Sequence, residues 1–324
     1  VKRKGNPITG EIERDNQGEP EREPGMLKAV KGIGWFIEEY GIAQVSMNLT
    51  NISITPIHEA FEACCKSAES RGIRVTGSEL VGMIPLQAML DAGKYFLRKQ
   101  QRSLGISEEE LIKIAVKSMG LDELTPFDPD KKIIEYKLRD KSDAPLVNLT
   151  LKNFANETAS ESVAPGGGST AAYVGALGAS LGTMVANLSS HKRGWDKRWE
   201  FFSDWAEKGQ RIKDDLLQLV DEDTKAFNQI LEAFRMPKGT DEEKATRQQA
   251  IQAATKFAIE VPFKTLQLAF ESFELLKVMA EEGNPNSASD AGVGALCARA
   301  AVHGALLNVH TNVTGLEDKD FAND

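Results

Sequence analysis

Cysteine is scarce in this sequence, with three residues in 324, two of them adjacent as Cys64 and Cys65. That spacing builds neither a disulfide framework nor a zinc thiolate set, and it suits a reducing, cytoplasmic setting. Histidine is nearly as rare, at four. His303 and His310 lie seven apart on one helical face, but no third ligand has suitable spacing, so no metal is expected. Positive charge is also short. Against 48 Asp and Glu there are 39 Lys and Arg, a formal net charge of -9, which argues against nucleic acid and anionic membrane as partners. No signal peptide is visible. The chain opens with Val1 rather than Met, as a fragment or partial reading frame would.

Long apolar runs are nearly absent too. The one stretch without charge, between Glu161 and His191, is rich in Gly, Ala and Ser and holds Asn187. A membrane-spanning helix needs about 20 strongly apolar residues. A buried helix of a soluble bundle is expected instead, with small residues allowing close packing. Its Gly178-x-x-x-Gly182 face is expected to support a homo-oligomer, in the simplest case a dimer.

What is present divides into four parts. Residues 1–25 are polar and rich in Gly, Pro and charge, and read as a flexible arm. Residues 26–140 mix helix and strand patterns. An amphipathic helix is expected over 27–40 and a strand over 43–49, where apolar residues alternate. A helix over 56–70, a strand over 73–81 and helices near 85–99 and 107–119 follow. Gly120 stands where a C-cap glycine belongs, and a short strand is expected at 132–137. Residues 141–150 read as a polar linker. Residues 151–324 read as an all-α bundle, with a capping box at Thr240 and Glu243. Pro262 is expected to end or kink its helix, because it lacks a donor.

Two features carry chemistry. In Pro165-Gly166-Gly167-Gly168-Ser169-Thr170, three glycines let another group approach the backbone closely. The following helix N-terminus offers unpaired donors, with Ser169 or Thr170 as the natural N-cap. The same run also reads as an ordinary tight turn before a capped helix. The second feature is a carboxylate on an apolar stripe. Ile212, Leu216, Leu219, Phe227, Ile230 and Phe234 step by three and four, and the missing position holds Asp223. Such a charge either pairs with a buried base or works in a cavity. Asp221 and Glu222 are expected to face water. Weaker candidates are the basic residues His191, Lys192, Arg193, Lys197 and Arg198 among Trp195, Trp199 and Trp205, the loop pair Arg235 and Lys238, and Asn308 with Asn312.

These segments resemble a known family. Residues 157–187, with Val220-Asp221-Glu222-Asp223-Thr224-Lys225-Ala226-Phe227, Arg235-Met236-Pro237-Lys238 and Asn308-Val309-His310-Thr311-Asn312, are similar to the cyclodeaminase and methenyltetrahydrofolate cyclohydrolase family. Lys31-Gly32-Ile33-Gly34-Trp35, residues 43–49 and Gly77-Ser78-Glu79-Leu80-Val81-Gly82 resemble the C-terminal subdomain of glutamate formimidoyltransferase. The order is that of the bifunctional enzymes.

The resemblance implies an α+β partial transferase subdomain, a ferredoxin-like half over 26–140, followed by an all-α cyclodeaminase bundle. It implies conversion of 5-formimino-tetrahydrofolate to 5,10-methenyl-tetrahydrofolate and ammonia, in histidine degradation. Asp223 would be the catalytic carboxylate. Gly166, Gly167, Gly168, Ser169, Arg235, Lys238, Asn308 and Asn312 would bind substrate. The folate derivative enters as substrate, with no metal, and Lys192, Arg193 and Lys238 could receive a polyglutamate tail. By the same resemblance the chain stops short at both ends. It lacks the transferase histidine, for which His58 is no counterpart, so no transferase activity is expected. The alternatives are a cyclohydrolase and an inactive folate-binding or assembly fragment.

Overall fold

A computed structural model describes residues 2–6, 9–139 and 144–323. The chain divides into two compact units. One runs up to Phe96 and adds Glu108–Leu138. The other takes Leu97–Ser107 and everything from Arg139 onward. An α+β region followed by a helical one agrees with the expected fold class.

In the first unit, the polar segment expected as a flexible arm carries antiparallel pairing. Strand β1 (Lys2–Arg3) pairs with β2 (Arg22–Glu23). Bridges at Gly5–Ile12 and Arg14–Pro20 bring a third segment, around residues 12–14, into the pairing. Strand β3 (Val30–Ile37) replaces the helix expected over 27–40 and pairs with β4 (Ile42–Leu49) from Val30–Leu49 to Ile37–Ile42. The reason lies in Val30-Lys31-Gly32-Ile33-Gly34-Trp35-Phe36-Ile37. Each glycine costs a helix about 1 kcal/mol, and β-branched and aromatic residues suit a pleated surface. The apolar face of β4 is covered toward Leu49 but open at Val45, which is 59% exposed.

Helices α1 (Ile57–Glu69), α2 (Leu86–Lys99) and α3 (Glu108–Met119) fall where expected. Met89, Ala92, Ala115 and Ile133 centre this unit's core. Gly120 has φ +61°, the left-handed conformation that ends a helix. The strand expected over 73–81 does not form. Its backbone instead serves the end of α3. Ser78 N–H donates to Gly120 O at 3.0 Å, and Ser78 Oγ donates to Met119 O. Nor is there a strand over 132–137. Helices α4 (Pro129–Lys132) and α5 (Ile134–Leu138) stand there, and Ile133 between them bridges Ile84. Asp128 caps α4 and Pro129 opens it, a helix start legible from its residue types.

The second unit is the helical bundle. Of the expected linker, residues 141–143 lie outside the described residues. Leu146 is part of the bundle core, and Thr150 caps α6 (Leu151–Thr158). Four long helices follow: α7 (Gly167–Ser190), α8 (Trp199–Arg235), α9 (Asp241–Glu282) and α10 (Ala288–Val313), then short α11 (Lys319–Asn323). The capping box of Thr240 and Glu243 opens α9 as expected. Helix α8 begins earlier than its apolar stripe suggested. Within it, Ala226 and Ala233 are buried, while Phe227 and Phe234 are exposed.

Small residues let α7 run through the middle. Ala172, Ala176 and Ala179 pack with Ile212, Leu216 and Val261. A Cβ on Gly178 would sit 2.9 Å from Gly294 O and 3.1 Å from Ala298 N, and one on Gly182 would strike Leu275. The Gly178–Gly182 face is therefore consumed inside the bundle rather than offered to a second copy. By length and composition alone, two helices could cross a membrane. The α7 window is 56% buried in the bundle, and the Pro285–Val313 window only 22%.

Pro262 does not end its helix. Helix α9 continues through it to Glu282. A proline at 262 deprives the carbonyl four residues back, Ala258, of its helical donor. Asn312 of α10 supplies the missing one, its Nδ2 donating to Ala258 O at 2.6 Å. A neighbouring side chain that completes the backbone pairing is what lets a helix tolerate an internal proline.

Candidate functional site

The site forms where α7 begins. Gly166 is the N-cap, with φ −99° and ψ −162°, so neither Ser169 nor Thr170 takes that place. Ser169 lies three residues in and is completely buried. Its side chain, freed from capping, turns to α8. Ser169 N–H donates to Asp223 Oδ2 at 2.8 Å, and Ser169 Oγ donates to the same oxygen at 3.0 Å. Asp223 therefore meets the positive end of α7 rather than a buried base, and no ion pair holds it among the described residues.

Burial pushes the Asp223 carboxyl above its ordinary value, and the two Ser169 bonds pull only partly against this. A carboxyl whose protonated form is favoured by burial is suited to both taking and giving a proton. Gly168 makes the approach possible. A Cβ there would overlap Asp223, its Oδ1 first. Asn308 of α10 closes the third side, its Nδ2 about 3.5 Å from where a Gly167 Cβ would stand. The same Nδ2 donates to Gly304 O at 2.8 Å. Gly167, Gly168, Ser169, Asp223 and Asn308 thus converge from three helices, with Gly166 capping the first of them.

Other expected site residues lie elsewhere. Arg235 ends α8 and Lys238 is exposed in the loop after it. Twelve residues of helix separate Arg235 from Asp223, about 18 Å. Asn312 is committed to Ala258 and serves the bundle. Lys192 and Arg193 stand beyond the far end of α7, about 36 Å from its start. There Lys192 Nζ lies 4.0 Å from the Trp195 ring centre. No group of three metal-ligating side chains occurs among the described residues.

Asp221 departs most from its expected place. It is 5% exposed and faces the chain entering the bundle. It accepts from Leu146 N–H at 2.8 Å and Val147 N–H at 3.2 Å. Thr224 is the functional neighbour the sequence did not single out. Its hydroxyl is 3.3 Å from Ser169 Oγ. Its place beside Asp223 in Asp221-Glu222-Asp223-Thr224 was the available signal.

Comparison with known proteins bears on both units. Residues 150–324 match the family model described as formiminotransferase-cyclodeaminase, and residues 2–139 the formiminotransferase domain. Formimidoyltransferase-cyclodeaminase from Gallus gallus is 40% identical over 94% of this chain and 56% of its own length. That from Mus musculus is 38% identical over the same shares. The chain thus spans about half the length of these relatives. A methenyltetrahydrofolate cyclohydrolase from Methylorubrum extorquens is 39% identical over 54% of this chain and 84% of its own. The crystal structure of formiminotetrahydrofolate cyclodeaminase from Thermotoga maritima matches with TM-score 0.49 and 28% identity, covering 54% of this chain and 84% of that one.

Proposed function

The chain belongs to the formiminotransferase-cyclodeaminase family, and from that premise we propose that its helical unit converts 5-formimino-tetrahydrofolate to 5,10-methenyl-tetrahydrofolate and ammonia. One observation carries the reading. A half-buried carboxylate, Asp223, stands at a glycine turn, and its partial burial favours the protonated form. The reaction needs that group. The folate 10-nitrogen attacks the formimino carbon, a five-membered ring closes, and the amine leaves as ammonia. Asp223 takes the proton from the attacking nitrogen and returns it to the departing amine, while its charge favours the developing cation. Gly167 and Gly168 let the flat pterin or its linker approach backbone, and Asn308 faces the same space.

A cyclohydrolase acting on the methenyl product with water is the second reading, favoured by the match to the Methylorubrum extorquens protein. The joined transferase-like unit supports the first reading, since a transferase makes the formimino substrate. The test is the purified chain with each folate. Ammonia released from the formimino substrate, with methenyl product formed, is expected. Hydrolysis of methenyl-tetrahydrofolate without ammonia release from the formimino form would overturn it. Gly168→Ala is expected to lower turnover by about 10²-fold or more, because its methyl displaces the carboxylate.

The proposal extends to a cytoplasmic, self-associating protein in histidine degradation, with Arg235 and Lys238 open to a polyglutamate tail. Self-association is supported on the outer face of α10, where Val293, Leu296 and Leu307 are 51%, 65% and 70% exposed. Light scattering at micromolar protein should give a mass above one chain, and a monomer would refute it.

A further inference from the structure

The hydroxyls around Asp223 have a direction. An ionised carboxylate only accepts hydrogen bonds, so Ser169 spends its single O–H on Asp223 Oδ2. The 3.3 Å contact between Ser169 Oγ and Thr224 Oγ1 must then run the other way, Thr224 donating to Ser169. Oδ2 already receives the Ser169 N–H as well. Two donors converge on that one oxygen. Oδ1 has neither and is the carboxylate atom nearest the position of a Gly168 Cβ. Ser169 itself is fully buried, so it sits behind the carboxylate rather than against a ligand.

We propose that Thr224 and Ser169 form a hydroxyl relay that positions Asp223, saturating Oδ2 and leaving Oδ1 as the oxygen that exchanges the proton. The proposal rests on the cyclodeaminase reading. Oδ1 takes the proton from the 10-nitrogen as the new nitrogen–carbon bond forms. The formimino group enters as its amidinium cation, so this one proton, given to the NH2 group as the old carbon–nitrogen bond breaks, completes ammonia and leaves the acid unchanged and the positive charge on the methenyl product. Ser169 and Thr224 are positioning residues in this scheme. Their donated bonds favour the ionised carboxylate against its burial.

The experiment is the pH dependence of kcat and KM for ammonia release by the full chain and its Ser169→Ala, Thr224→Val and Asp223→Asn variants. Ser169→Ala keeps the backbone donor but loses the hydroxyl. It is expected to lower kcat about 10- to 100-fold, the range of a charge-assisted hydrogen bond, with KM little changed. Its acidic limb should move to higher pH, because the charged form has lost a partner. Thr224→Val should move the limb the same way by less, acting through Ser169. Adding Ser169→Ala to Asp223→Asn should change nothing further. A rise in KM with an unmoved limb would place Ser169 against substrate and overturn the relay. A lowered melting temperature with an unmoved limb would reduce it to packing and also overturn it. If Asp223→Asn is inactive while the limb of Ser169→Ala stays put, the relay alone fails. If Asp223→Asn keeps normal turnover, the catalytic reading fails and the relay with it.

Discussion

Asp223→Asn is expected to lower turnover by about 10²–10⁴-fold while the fold melts at the same temperature as the parent, or higher, at neutral pH. The two effects have one cause. Burial raises the carboxyl above its ordinary 3.8 in the folded chain. The folded state therefore holds that proton more tightly than the unfolded state does. The stability this provides is present below the unfolded value and is lost as pH rises through the raised folded one. Above that raised value the ionised side chain is a burden on the fold. Asparagine is uncharged and keeps an oxygen for Ser169, so it removes the burden together with the base. Thermal unfolding across pH checks the sign: the variant should gain on the parent as pH rises from acid. Half of a buried ion pair would behave oppositely, costing about 3–5 kcal/mol on substitution. A variant that melts early yet turns over normally while folded would sink the catalytic assignment.

Asp221→Ala should do the reverse, destabilising the bundle while leaving chemistry nearly intact once folded. The substitution strips the acceptor from Leu146 N–H and Val147 N–H. An unpartnered buried donor costs about 1–3 kcal/mol. The pair should therefore cost about 2–5 kcal/mol, and each kcal/mol lowers the melting temperature by about 2–4 °C in a unit of this size. Asp221→Asn keeps one acceptor oxygen and should fall between. Melting curves for the three proteins, with ammonia release measured below the transition, decide the matter. An unchanged melting temperature for the alanine variant would mean that the entering chain does not depend on this carboxylate.

The contrast between these neighbours shows what the sequence could carry. Asp223 was legible because the apolar stripe of α8 is a local pattern with a fixed period, and a charge on it stands out. Asp221 was expected in water because its partner is chain 75 residues away, and no helical period reports that. The same division runs through the fold. The capping box of Thr240 and Glu243 placed the start of α9 closely, since a cap is chemistry within four residues. The pattern over 27–40 looked amphipathic, yet two glycines and a paired β4 decided for strand. Residues 73–81 have strand-like alternation but spend their polar groups on the end of α3. Asn312 looked like a site residue from the family segment, and only the structure assigns it to Ala258.

The proline in α9 ties two helices into one folding event. A helix normally completes its own backbone ladder and can form, fray and re-form alone. Around Ala258 that self-sufficiency is lost, because the closing donor is borrowed from Asn312 on α10. Fraying at the α10 end therefore strands a carbonyl in the middle of α9, 24 residues before that helix finishes at Glu282. Local opening at one place is coupled to opening at the other, and the two should exchange their amide protons as one cooperative block. Asn308, one turn earlier on α10, faces the glycine turn. The order of Asn308 beside that turn is then coupled to the pairing of Ala258, which lies 90 residues after Gly168 in the chain.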